Sequence, residues 1–93
     1  MATPRRKKAI NFDLDTASLR DLFGEKGRRN AYAQIMRFLS AKGFEHRQWS
    51  GYVSVDRLSY AETYLVIEEL LEKHPWLGVC AKRFDVTDFM TES

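Results

Sequence analysis

A single cysteine, Cys80, occurs in the 93 residues, so no disulfide can form within the chain; this fits a reducing, cytoplasmic setting. No stretch approaches the ~20 consecutive apolar residues of a membrane-spanning helix, which argues against a membrane protein. The charged start at Met1–Lys8 is not followed by the apolar run of a signal peptide, because Asn11, Asp13 and Asp15 interrupt it. Cys80, His46 and His74 do not have zinc-ligand spacing. A glycine-rich phosphate loop, a serine-hydrolase triad, internal repeats and low-complexity segments are all missing. What remains is a single domain with ordinary globular composition.

That composition is 44% hydrophobic and 30% charged, with 6 Phe, 4 Tyr and 2 Trp to fill a core. A chain of this size buries only about 60–65% of its unfolded surface, so a partner would add to its stability. The net charge of +2 hides an asymmetry. Four of the 15 basic residues, Arg5, Arg6, Lys7 and Lys8, lie in positions 1–8, which hold no acid; this leaves 11 basic against 13 acidic residues elsewhere. The reading is a basic arm over residues 1–7 and one slightly acidic domain over 8–93. Such an arm reads first as a solubilising tail, with contact to nucleic-acid phosphates as the functional alternative.

"INFDLD" at residues 10–15 reads as part of a strand over Lys8–Leu14. Alternation sends Ile10, Phe12 and Leu14 to one side and Asn11, Asp13 and Asp15 to the other. Sheets disfavour Asp and Asn, so the stretch is either a poor strand or a site. Asp15 or Thr16 can cap a helical turn, and Ser18 with Asp21 has capping-box spacing. Gly24 and Gly27 interrupt any longer helix, so the expectation for Thr16–Arg29 is one helical turn and a loop. From Asn30, the stripe Tyr32, Ile35, Met36 and Leu39 predicts a helix that Gly43 ends. Phe44–Trp49 and Tyr52–Asp56 flank Ser50-Gly51 as a hairpin. Ser59 and Glu62 open a second helix, with Tyr64, Ile67 and Leu71 facing the core, which stops near His74 before Pro75. "VCAKRFDV" is the last strand, and a tail begins at Thr87.

The order β-α-β-β-α-β predicts an α+β, ferredoxin-like fold: a four-stranded antiparallel sheet with both helices on one face. Asp13 and Asp15 then belong on the open face, and such a face invites a two-fold homodimer. Two Asp13 carboxylates brought together near the axis would bind a cation, share a proton or sit in water.

Phe12-Asp13-Leu14 closes the first strand, Gly43-Phe44 follows a helix, and Gln48-Trp49-Ser50 sits in the hairpin ahead of Tyr52. Lys82, Phe84 and Thr87–Phe89 come near the end. In that order and spacing, over about residues 8–90, the chain resembles the virulence-associated protein D family of small toxin-like bacterial endoribonucleases. The resemblance implies a ferredoxin-like homodimer, related in fold to the small CRISPR-associated nuclease of spacer acquisition, that cuts RNA and is paired with an antitoxin protein. It implies Asp13 and Ser50 as catalytic residues, with Asp13 the candidate Mg²⁺ ligand. Trp49, Tyr52, Arg47 and Lys82 are the candidate substrate contacts. Trp49, Asp15 and Lys82 depart from the family pattern; Trp49 either narrows the substrate path or stacks on a base. Outside the resemblance, His46 and His74 are candidate general bases, and Arg28-Arg29, Arg47 and Lys82-Arg83 candidate phosphate contacts. The alternative to a nuclease is a non-catalytic dimeric module that binds protein or nucleic acid.

Overall fold

A computed structural model of the chain describes residues 5–48 and 51–89. In chain order the elements are β1 (Arg6–Leu14), α1 (Thr16–Phe23), α2 (Gly27–Ala41), β2 (Phe44–Gln48), β3 (Gly51–Leu58), α3 (Tyr60–Lys73), the single turn α4 (Leu77–Cys80) and β4 (Ala81–Asp88). The sheet order is β2-β3-β1-β4, and every neighbouring pair is antiparallel. This is the ferredoxin-like arrangement that the element order predicts. Among the described residues no helix is long and apolar enough to cross a membrane.

One hydrophobic cluster joins the sheet to all four helices. It takes Ile10, Phe12 and Leu14 from β1, Phe44 and Tyr52 from the hairpin strands, and Leu19, Ala31, Ile35, Leu39, Ile67, Leu70, Leu77 and Cys80 from the helices. The helices therefore share one face of the sheet, and the odd-numbered residues of β1 are turned away from them. Phe12 is the hub, its ring 6.0 Å from those of Tyr32 and Tyr52 and 5.4 Å from that of Phe84. Cys80 is a core residue, and burial pushes its thiol pKa up.

Several details correct the sequence reading. Residues Thr16–Phe23 form a regular helix rather than a turn and loop, capped by Asp15, whose carboxylate accepts from the Ala17 amide at 3.1 Å. Ser18 donates its hydroxyl to Asp15 at 3.0 Å, so the expected Ser18–Asp21 box does not form. Gly24, at φ 80°, breaks the helix as expected. Gly27 does not; it opens α2, three residues before the predicted start, and a Cβ there would collide with the Leu19 carbonyl. Reading it as a breaker misses that close helix contact also selects glycine.

In α3 the Ser59–Glu62 box forms in both directions. The buried stripe is Thr63, Ile67 and Leu70, while Tyr64 is 51% exposed. Thr63 can turn inward because its hydroxyl donates to the Ser59 carbonyl at 3.0 Å. Met36, expected in the α2 stripe, is also exposed. The last strand begins at Ala81, because Leu77–Cys80 are helical.

The first strand starts two residues earlier than the sequence predicts. β1 begins at Arg6, which pairs with Leu58, and Lys7 pairs with Arg57. Lys8 is buried and forms an ion pair with Asp88 at 2.6 Å, its ammonium 4.7 Å from the centroid of Tyr60. These residues fasten β1 to β4 and to the start of α3. Trp49 and Ser50, expected in and beside the turn, lie outside the described residues, between Gln48 at the end of β2 and Gly51 at the start of β3.

Candidate functional site

The carboxyl end of β1 turns a polar pair, Asn11 and Asp13, toward the sheet face that carries no helix. Across the β1–β4 ladder, Asn11 is opposite Asp85 and Asp13 is opposite Arg83. In an antiparallel pair, residues directly opposite share a face, so these four side chains form one cluster. Arg83 Nε donates to Asp85 Oδ2 at 2.7 Å. That hydrogen bond, the Asp85 charge and the more distant Asp13 charge all raise the Arg83 pKa, so the guanidinium stays cationic. A shallow depression of about 130 Å³ lies over Asn11, Phe12, Asp13, Arg83 and Asp85. Asp13 itself is exposed.

A break in register falls between Asp13 and Leu14, whose partners are Arg83 and Ala81. Lys82 is the extra residue there, and bulges of this kind re-aim side chains. Its charge acts on Asp15, where it helps hold the carboxyl below its ordinary range; the larger cause is the Ser18 hydroxyl. Lys82 is the basic contact expected from the sequence, but Arg83 is the residue opposite Asp13. The signal for this is present in the sequence: Arg83 and Asp85 alternate in the same way as Asn11 and Asp13. Without the register, however, the two strands cannot be aligned.

The other expected site residues divide. Asp15 lies beyond the strand, and its carboxylate is spent on the helix cap, which corrects its placement on the open face. Tyr52 is 1% exposed on the helix side, stacked between Phe12 and His46, and burial pushes its phenol up to about 12. A ring so placed lies under the helices, on the opposite face of the sheet from Asp13. Arg47 is on the edge strand β2, 3.7 Å from Glu45 and 5.8 Å from the centroid of Phe89, two strands from Asp13. Gly51 pairs with Asn11, so β3 starts at the Asp13 end of the sheet. His74 Nδ1 is 2.9 Å from the Leu70 carbonyl, which gives it a helix-end role.

The fit to Mg²⁺ is poor within one protomer. The cluster offers two carboxylates, but cationic Arg83 is bonded to one and faces the other. Among the described residues no group of three or more His, Cys, Asp or Glu side chains could hold a metal. What the cluster can do is accept a proton at Asp13 and place positive charge beside it.

No family model matches the chain. Endoribonuclease VapD 2 of Riemerella anatipestifer is 32% identical to it over 74 residues, which span 80% of this chain and 79% of that protein. The chain belongs to the virulence-associated protein D family. In this member of the family, Phe12-Asp13-Leu14 sets the core hub Phe12 beside the exposed acid, and Gly43, at φ 88°, separates α2 from β2.

Proposed function

We propose that this member of the virulence-associated protein D family is an endoribonuclease in which Asp13 is the general base and Arg83 the electrostatic partner. The observation that carries the reading is the solvent-facing Asp13 directly across the ladder from a cation. The name of its relative in Riemerella anatipestifer supports the reaction class. Asp13 takes the proton of a ribose 2′-hydroxyl. The 2′-oxygen then bonds to the adjacent phosphorus, the P–O5′ bond breaks, and the departing 5′-oxygen takes a proton from water. The ends are a 2′,3′-cyclic phosphate and a 5′-hydroxyl. Arg83 offsets the negative charge that builds on the phosphoryl oxygens, and Ser50 donates a hydrogen bond to one of them. Lys82 and Trp49 are further contacts for the RNA. The working unit is a homodimer joined through the open face of the sheet, which no helix covers.

The test is cleavage of end-labelled RNA with Mg²⁺ and with EDTA, beside Asp13→Asn. The expected result is cutting in EDTA, cyclic-phosphate ends, no cutting of the matching DNA, and a loss of about 10²-fold or more in the variant. Equal cutting by Asp13→Asn, or cutting only with Mg²⁺, would overturn the assignment.

A further inference from the structure

Two cavities meet where α2 begins, on the helix side of the sheet. The smaller, of about 190 Å³, lies among Arg29, Tyr32, Ala33, Met36, His46 and Tyr52, and its walls are almost wholly apolar. The larger, of about 470 Å³, is formed by Glu25, Lys26, Arg28, Arg29 and Tyr32. They share Arg29 and Tyr32. The exposed His46 ring stacks on Tyr52 with centroids 4.8 Å apart, and Met36 is 42% exposed beside it. The Arg28 guanidinium is 5.8 Å from the Tyr32 centroid.

We infer that these joined cavities form a subsite for one nucleotide of single-stranded RNA. The base enters the smaller cavity against His46, and the phosphate rests on Arg28 and Arg29. The inference rests on the endoribonuclease reading and adds a binding determinant to it. Three observations select this occupant. At about 190 Å³ the small cavity is below the ~300 Å³ at which pockets for drug-sized ligands begin, so it suits one planar ring rather than a whole ligand. The larger cavity carries Lys26, Arg28 and Arg29 against the single acid Glu25, which complements a polyanion. An aromatic surface beside a basic track is how proteins hold unpaired strands, with bases stacked and backbone neutralised.

The location also connects the subsite to the cutting site. Tyr32 packs on Phe12, the residue before Asp13, and His46 pairs with Tyr52, one residue from the start of β3. Both sites thus lie at the end of the sheet where β1 finishes and β3 begins. An RNA strand passing around this end can occupy both faces.

The experiment uses the full chain carrying Asp13→Asn, so that RNA is bound but not cut, with fluorescein-labelled oligoadenylate and oligouridylate as probes. Anisotropy should show His46→Ala weakening binding about ten-fold, while His46→Phe, which keeps a ring, restores most of it. Arg29→Gln should lower the dependence of log Kd on log salt by about 0.7. Unchanged melting temperatures would establish that the variants are folded, and Tyr64→Ala on α3 should bind like its parent. Parent-like binding by both His46→Ala and Arg29→Gln, or no binding of either probe by the parent, would overturn the subsite. Loss of self-association in His46→Ala with RNA affinity intact would also overturn it, in favour of a protein contact. Cleavage by the otherwise unaltered chain is scored separately. If Asp13→Asn cuts normally while His46→Ala loses RNA, the base assignment falls and the subsite stands; the reverse pattern removes only the subsite.

Discussion

On one side of β1, Ile10, Phe12 and Leu14 are packed into the cluster that joins the sheet to the helices. On the other, Asn11 and Asp13 face Asp85 and Arg83 with no helix above them. Both faces are written in the same residues, 10–14, by alternation alone. The packed face takes large apolar side chains and tolerates few substitutions, because interiors are close-packed. The open face takes residues that strands normally avoid. The contrast assigns stability to the even positions and chemistry to the odd ones, and each half of that assignment can be attacked separately.

The largest effect is expected on the packed face. Phe12→Ala removes a ring in contact with three other aromatics, and urea unfolding should show a loss of about 3–5 kcal/mol. A loss below ~1 kcal/mol would mean that Phe12 is not the hub. On the open face, Arg83→Gln should slow RNA cleavage about 10²-fold with melting temperature nearly unchanged, since the side chain is 68% exposed. Should cleavage survive, Arg83 is only the partner of Asp85. Gly27→Ala tests the packed side away from the sheet. Its methyl group would meet the Leu19 carbonyl, and calorimetry should register about 1–3 kcal/mol of destabilisation, opposite to the usual gain from replacing a helical glycine. Ser59→Ala breaks the α3 capping box and should cost about 1 kcal/mol without altering cleavage.

The smallest effect is a pH dependence. The Ser18 hydroxyl and the Ala17 amide hold the Asp15 carboxyl below its ordinary range, the hydroxyl being the larger cause. A lowered folded-state value means stability that is fully present above the unfolded-state pKa and is lost as pH falls through the folded-state one. Asp15→Asn keeps a capping acceptor without the charge. Its stability deficit relative to the parent should therefore be present at neutral pH and vanish in acid. A deficit that does not change with pH would show that the ionised cap adds nothing.

Much of this division can be read from the sequence. Alternation in Ile10–Leu14 assigns both faces of β1, and element order leads to the sheet topology. The Ser59–Glu62 spacing announces a box that forms. What cannot be read is relational. Gly27 looks like a helix breaker until Leu19 is seen against it, and Tyr64 outranks Thr63 as a core residue until the Thr63 hydroxyl finds the Ser59 carbonyl. Tyr52 enters the candidate site by motif, and only the ladder His46–Tyr52–Ile10 turns it under the helices. Arg83 stands beside Lys82 as a second cation, and only the register break separates their roles.

The most direct test of the two-sided account measures melting temperature and single-turnover RNA cleavage on the same preparations of Asp13→Asn and Phe12→Leu. The account predicts that Asp13→Asn melts with the parent and loses cleavage, while Phe12→Leu melts lower and, below its transition, cuts within a few-fold of the parent rate. An Asp13→Asn protein that cuts at the parent rate, or that loses activity only because it unfolds, would contradict it.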